Sequence, residues 1–593
     1  MKLEFSWRYT AMGLAFASAA VVILVQITRL LLSPEAEKLR TASTYYAREL
    51  HIYSPARGDI YDRWGYLLAG NQTVYEVGVD LNSIQSPETI AFAMSKVLLG
   101  HEEYNTPDYY NSVFTIASTE TSTVTYRILA DYVTEDEVAI LRKWSQEYTD
   151  LYRNHKKGDK VPSLQGLVFR SHLARSYPEK ELASNILGFI NRQGIGYGVE
   201  QYFNNLMAGE TKAIWMPTDP NKAEELPHVP EGDSLILTID REIQASVEKI
   251  LDNSINETGA ESGTIVVMDP KTGEILAMAS TPRIDLNQYW KYGTILQGKT
   301  PYNRAISEDY EPGSVYKVLT MAAALDSGAV KLDTTFTDTG VIEIGGIFIH
   351  NWNWGAWGIQ DMQGCMQHSL NVCLAWVGSQ LGAKRFYSYM QNFGIGHLTG
   401  IDMAGEVPGR LKTPGDTDWY ESDLGTNSFG QGIAVTPVQM AMAVSAVAND
   451  GKMMVPHILH AYVDKGYQYT ILPQVIGTPI SAKTAHDLTQ LLAASLEGES
   501  SNALVPGYTV AGKTGTAEIP TPTGYTSDVT NASFVGWGPV DDPRFLVYVW
   551  LEKPTTSPWG SVVAAPVFQK VVERLVVLMD IPPDDVRHQL NKQ

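Results

Sequence analysis

The segment Glu311-Pro312-Gly313-Ser314-Val315-Tyr316-Lys317 leads into an apolar run from Val318 to Leu325. Pro312 and Gly313 interrupt the preceding chain, so the pattern predicts a helix that opens on Ser314. Lys317, three residues on, would share a helix face with the serine. A serine hydroxyl is a weak nucleophile at neutral pH, but an amine one turn away can take its proton once desolvation or a neighbouring cation favours the neutral amine. First-turn N–H groups, at the positive end of the helix, would favour a developing oxyanion. Together these residue types point to attack on a carbonyl.

Short patterns recur by chance, and each copy has to be weighed. Ser-x-x-Lys appears again at Ser246/Lys249, inside a helical stretch with Glu248 beside the lysine, and reads as a solvated helix face. Ser-x-Asn appears at Ser254/Asn256 and Ser500/Asn502, in what look like polar connections. It also appears at Ser369/Asn371, which alone opens an apolar run, Val372 to Leu381. Lys-Thr-Gly appears at Lys271, within the turn Asp269-Pro270-Lys271-Thr272-Gly273, and at Lys513, after the strand-like Tyr508 to Ala511. Gly507 to Thr514 also fits the phosphate-loop pattern, but such a loop must open a helix, and Thr516-Ala517-Glu518-Ile519-Pro520-Thr521-Pro522 cannot continue as one. The surviving set has a coherent chemistry. Ser314 attacks and Lys317 accepts its proton; Ser369 and Asn371 relay protons and hold substrate amides; Lys513, with Thr514 and Thr516, binds a carboxylate.

Several elements must position these groups. At 593 residues the chain is too long for a single core. Lys plus Arg is 45 and Asp plus Glu is 66, a formal net charge of −21, which argues against nucleic acid as a partner. From Tyr9 to Thr28 no residue is charged, a length that matches a bilayer core at ~20 residues. Ala17-Ser18-Ala19 resembles a cleavage site, yet the strongest apolar run, Val21 to Val25, follows it, so an uncleaved signal anchor is expected. Arg57 to Ala69 alternates like a strand, with turns at Gly58 and Gly65. Its interleaved Arg and Asp residues suggest a buried ionic network that packs rather than reacts. The glycines of Gly194 to Gly198 suggest close backbone packing. A proline- and acid-rich join, Pro217 to Asp233, precedes the strand Ser234 to Thr238 and marks the expected domain boundary. A helix is predicted over Asp240 to Leu251, then two strands within Gly263 to Ala279. Cys365 and Cys373, eight residues apart, would stand ~12 Å apart on one helix, too far to bridge, and are expected as buried apolar cysteines. With His368 they are too few for a zinc site.

The three motifs resemble those of the penicillin-binding protein and serine β-lactamase superfamily, and more narrowly those of a class B penicillin-binding protein. Arg57 to Ala69, Arg175 to Pro178, Gly198-Val199-Glu200, Asn303-Arg304-Ala305, and Ser428 to Gly432 through Thr436-Pro437 carry the resemblance beyond the site. The resemblance implies a multidomain α+β protein: cytoplasmic residues 1–8, a transmembrane anchor 9–28, an elongated β-rich pedestal 29–233 with an inserted lobe near 86–162, a transpeptidase domain 234–580 in which helices sandwich an antiparallel sheet, and a tail 581–593. It implies a peptidoglycan D,D-transpeptidase of the bacterial inner membrane, single-pass, with its catalytic domain outside the cytoplasm. Ser314, Lys317, Ser369, Asn371 and Lys513 would be catalytic. Thr514, Gly515 and Thr516 would bind the D-Ala-D-Ala end of a stem peptide, and the N–H groups of Ser314 and Thr516 would form the oxyanion hole. β-Lactams would acylate Ser314, no metal or organic cofactor would be needed, and a membrane-embedded, shape-determining-type glycan polymerase would be the partner.

Within the class, Glu311, Asn371, Phe393-Gly394-Ile395-Gly396 and Thr399-Gly400-Ile401-Asp402 resemble the division-type subgroup, with elongation as the alternative. His368 departs from the small polar residue common there; it either packs or perturbs proton transfer at Ser369. A β-lactam hydrolase or sensor would share the motifs without needing the pedestal. A non-catalytic scaffold would keep the fold and lose the chemistry.

Overall fold

A computed structural model describes residues 6–38, 48–53, 55–119, 125–153, 161–191, 196–217, 230–297, 299–498, 500–521 and 524–590. Parts of the expected cytoplasmic start (1–5), pedestal (39–47), lobe (120–124 and 154–160), glycine segment (192–195), join (218–229) and tail (591–593) lie outside them. Two compact units are formed, Met1–Ala56 with Ala208–Gly232, and Arg57–Met207 with Asp233–Gln593.

The first unit holds the helix Ser6–Leu31 and an antiparallel pair, Arg48–Tyr53 with Lys212–Pro217. Residues 7–31 are all exposed in the isolated chain, although most are apolar.

In the second unit a five-stranded antiparallel sheet runs in the order Ala511–Thr521, Gly524–Gly538, Phe545–Glu552, Ser262–Met268, Ile275–Ser280. Strand alternation sends Ile265, Val267, Val547 and Val549 to one face, where they pack with Val247, Phe568 and Val571. Val266, Met268, Leu546 and Tyr548 go to the other, with Val318, Leu319 and Val438. Both faces are therefore dry, and each buried Val, Leu or Met contributes roughly 1.5–3 kcal/mol. Helices cover them where the sequence supplies caps. Asp240 accepts N–H bonds from Glu242 and Ile243, and the helix Arg241–Thr258 ends on Gly259 in the left-handed region. That helix outruns the expected end at Leu251, so Ser254/Asn256 lies in a helix and not in a connection. Lys249 is exposed as expected of the second Ser-x-x-Lys copy, but Glu248 is not on a solvated face: it is buried against Arg283 and accepts from Gln244 and the Ala183 N–H, and burial pushes its carboxyl up.

A second sheet has seven strands: Tyr467–Thr470, Leu459–Asp464, Ser234–Leu237, Ile60–Tyr61, Leu67–Asp80 and Tyr126–Val133 in order, with Leu167–Ser176 also on Leu67–Asp80. Ile60–Tyr61 pairs in parallel with Leu235–Ile236, so hydrogen bonding runs across the boundary expected after Asp233. The Arg57 to Ala69 segment is ionic as expected, though with a partner further along the chain. Arg57 and Arg175 each place Nε 2.6 Å from a carboxylate oxygen of Glu200, which has no exposed side-chain surface. Three of the segments that carried the resemblance thus meet at one carboxylate. Asp62, also buried, accepts from the N–H groups of Trp64, Tyr66 and Arg241. Close packing at the glycines holds too: a Cβ on Gly198 would fall 2.5 Å from the Ile186 carbonyl oxygen.

Candidate active site

A single 3₁₀ turn, Gly313–Tyr316, passes directly into the helix Lys317–Asp326. Of residues 312–324 Ser314 alone is not buried, so the apolar run that fixes the helix leaves one hydroxyl accessible. Gly313 has φ +57°, a conformation in which an added Cβ would meet the Thr516 carbonyl oxygen and the Ala517 Cβ, both at 3.0 Å. Its N–H donates to the Gly430 carbonyl at 3.0 Å, and Glu311 accepts the Gly432 N–H at 3.1 Å. The Ser428 to Gly432 motif is thereby explained as the backing of the nucleophile turn.

Lys317 has no exposed surface. Its Nζ lies 2.7 Å from the Ser369 carbonyl oxygen, 3.2 Å from Ser369 Oγ and 2.8 Å from Asn371 Oδ1. A dry setting favours the neutral amine and the surrounding oxygens favour the ammonium, the balance that a proton acceptor in this place requires. Burial pushes the Tyr316 and Tyr310 hydroxyls well above their ordinary value, and the Tyr310 hydroxyl pairs with that of Tyr548.

Ser369 and Asn371 sit at the joint between two helices, Met362–Gln367 and Asn371–Leu381. The first closes with the Leu370 N–H donating to the Cys365 carbonyl and Ser369 left-handed at φ +53°, a helix end that normally takes glycine. A side chain there costs about 1–3 kcal/mol, and here it is the side chain that meets Lys317. His368 stacks on Trp357 with ring centroids 3.9 Å apart. The expectation of two unbridged cysteines is overturned. Cys365 and Cys373 form a disulfide with Cα atoms 6.0 Å apart, because the chain turns at residues 368–370 where a continuous helix had been assumed. Both are fully buried, as expected.

The third cluster lies within the strand Ala511–Thr521, so the strand begins where Tyr508 to Ala511 was expected to end. Alternation buries Lys513 and Gly515 and leaves Thr514 and Thr516 partly open on one face. A Cβ on Gly515 would come within 3.0 Å of Val315 Cγ1 and 3.1 Å of the Pro312 carbonyl oxygen, which shows how tightly the strand lies against the nucleophile turn. Lys317, Ser369 and Asn371 are thus joined by hydrogen bonds, and Gly515 and Thr516 lie against the turn that carries Ser314, on the same strand as Lys513 and Thr514. Sequence reasoning missed an aromatic bridge across the site. Trp352 donates Nε1–H to the His368 carbonyl, while Trp559 precedes Gly560, whose N–H donates to Thr516 Oγ1 at 3.0 Å. The two indoles meet edge to face at 5.1 Å.

Two family models match the chain. Residues 263–573 match the penicillin-binding protein transpeptidase domain, and residues 52–212 the penicillin-binding protein dimerisation domain. The chain is a class B penicillin-binding protein. It is 31% identical to stage V sporulation protein D of Bacillus subtilis (strain 168), covering 92% of this chain and 82% of that protein. It is 30% identical to the probable peptidoglycan D,D-transpeptidase PbpC of Pseudomonas aeruginosa, over 70% and 72% of the two chains. Among solved structures it resembles penicillin binding protein 3 of Mycobacterium tuberculosis complexed with aztreonam, at 25% identity and TM-score 0.67, covering 90% and 98%.

One prediction for this penicillin-binding protein follows from the packing under the Lys513 strand. A Cβ on Gly560 would stand 2.1 Å from the Gly515 carbonyl oxygen and 2.8 Å from that of Ser533, both backbone atoms. Gly560→Ala must therefore displace the strand. Acylation by penicillin should slow by roughly 100-fold, as expected for an ångström-scale misplacement. Stopped-flow acylation read beside a thermal melt will check this, and an unchanged rate would mean the strand's position is not critical.

Proposed function

We propose that the chain is a serine peptidoglycan D,D-transpeptidase, cross-linking stem peptides through an acyl-enzyme on Ser314. The observation that carries this is the buried Lys317 amine, one turn from Ser314 and bonded to both Ser369 and Asn371. Ser314 Oγ attacks the penultimate D-alanine carbonyl while Lys317 takes its proton. The N–H groups of Ser314 and Thr516 hold the oxyanion; Lys513, Thr514, Gly515 and Thr516 hold the terminal carboxylate. As the C–N bond breaks, the proton passes through Ser369 to the departing D-alanine amine, and Asn371 orients the substrate amide. The amino group of a neighbouring stem then attacks the acyl-enzyme, forming the cross-link and restoring Ser314. β-Lactams acylate the same oxygen.

The helix Trp7–Leu31, long and apolar enough to span a bilayer and unburied in the chain, supports a single-pass anchor with the catalytic domain outside the cytoplasm. A septal role, rather than elongation, is supported by Glu311, Asn371 and the two glycine motifs. Within the second of these, Asp402 accepts the Ile458 and Leu459 N–H groups at 2.6 and 2.8 Å. A membrane-embedded glycan polymerase as partner rests on the family resemblance.

Mass spectrometry of penicillin-treated protein should find one adduct, on the peptide bearing Ser314, abolished in Ser314→Ala. An adduct on Ser246 would sink the site assignment, and rapid hydrolysis of the adduct would favour a β-lactam hydrolase.

A further inference from the structure

The helix joint that carries Ser369 and Asn371 is built unlike an ordinary helix–helix connection. Cys365 lies three residues from the end of the first helix, counting itself, and Cys373 is the third residue of the second. Their disulfide therefore spans the joint and closes a short ring around His368, Ser369, Leu370 and Asn371. Inside that ring lie all three oxygens that the bonds above place around Lys317 Nζ: two from Ser369 and one from Asn371. Rotation of one helix against the other at the joint would move the Asn371 oxygen relative to the two of Ser369, and the left-handed Ser369 has no intrinsic preference to stay.

We propose that the Cys365–Cys373 disulfide is a positioning element for catalysis: it locks the joint so that Ser369 and Asn371 meet Lys317 together. This rests on the transpeptidase reading of the site. Noncovalent braces act on the same ring. The Val372 N–H donates to Asn351 Oδ1 at 3.2 Å, Asn371 Nδ2 donates to the His350 carbonyl at 3.3 Å, and Trp352 Nε1–H donates to the His368 carbonyl at 3.2 Å. They hold the ring to the segment His350–Trp352. Besides the backbone of residues 368–370, the disulfide ties the two helices to each other covalently. Both cysteines are fully buried, so the effect passes through Ser369 and Asn371.

A disulfide that only stabilised the fold would, when removed, lower the melting temperature and leave the chemical step of each folded molecule unchanged. The test therefore separates the two steps of penicillin acylation, noncovalent binding and the first-order acylation rate constant, on full-length protein in detergent. In the double variant Cys365→Ala/Cys373→Ala we expect the first-order rate constant to fall at least tenfold, with the noncovalent dissociation constant changing less than threefold. Because the pair is buried and the variant could fail to fold, wild-type protein is also reduced with dithiothreitol in sub-denaturing urea and assayed before and after reoxidation. Loss of rate on reduction with recovery on reoxidation supports the proposal. A rate constant within twofold of wild type, or a faster one, overturns it, as does finding two free thiols in the active protein by alkylation and mass spectrometry. Oxidised wild type that forms no adduct on Ser314 would instead overturn the transpeptidase reading.

Discussion

Lys317→Met should reduce the rate of Ser314 acylation by about a thousandfold while leaving the protein folded. General-base transfer is worth roughly 10²–10⁴-fold, and Lys317, once its ammonium has given up a proton, is the base one helical turn from the nucleophile. Methionine matches the length of the lysine stem, so the helix Lys317–Asp326 keeps its packing. Two opposing terms govern stability. Ser369 O, Ser369 Oγ and Asn371 Oδ1 lose a donor, at about 1–3 kcal/mol for each group left unpaired. Removing a buried cation relieves a desolvation penalty of comparable size. A melting shift of only a few degrees is therefore expected beside a collapse in rate. Lys317→Arg sharpens the test, because a guanidinium keeps the charge and cannot give up its proton. Acylation at the wild-type rate in the arginine variant would sink the base assignment and leave Lys317 as an electrostatic anchor.

The chemistry was legible because each of its parts is local. A serine and lysine three apart, a serine and asparagine two apart, and Lys-Thr-Gly in a strand can each be read within one element, and flanking apolar runs separated Ser314, Ser369 and Lys513 from their duplicates. What a single element does not encode was missed. Nothing at His368-Ser369-Leu370 announces a helix end, since the position that calls for glycine holds the serine that meets Lys317. The assumed continuous helix then separated two cysteines that are in fact bonded. The Arg57 segment was correctly read as ionic, but its partner stands 143 residues away, beyond any periodicity. The Trp352–Trp559 contact is likewise long-range, and no spacing rule selects those two among 13 tryptophans. The boundary after Asp233 follows composition, whereas Ser234–Leu237 is a strand shared between two others from distant parts of the chain.

Glu200→Ala should cost roughly 3–5 kcal/mol of stability, the range seen when one member of a buried ionic group is removed. The cost arises because Arg57 and Arg175 both aim Nε at this carboxylate and would be left as two buried cations facing each other. Arg57 retains Asn204 Oδ1 and the Glu200 carbonyl as acceptors, at 2.7 Å each. Arg175 is the more exposed to the loss, since its two terminal nitrogens are buried with no acceptor among the described residues. Gln cannot substitute: its amide offers one acceptor oxygen where two are used and turns an N–H toward a guanidinium. At about 1 °C per kcal/mol for a unit of this size, differential scanning calorimetry should show the melting point falling by roughly 3–5 °C. Adding Arg175→Met should recover part of that loss, because it removes one stranded cation and replaces its stem with apolar volume. The first-order acylation constant on Ser314, measured below the melting transition, should stay within twofold of wild type. A large fall in that constant with an unchanged melting point would reverse the assignment, making the cluster part of the chemistry instead of the scaffold that the sequence had indicated.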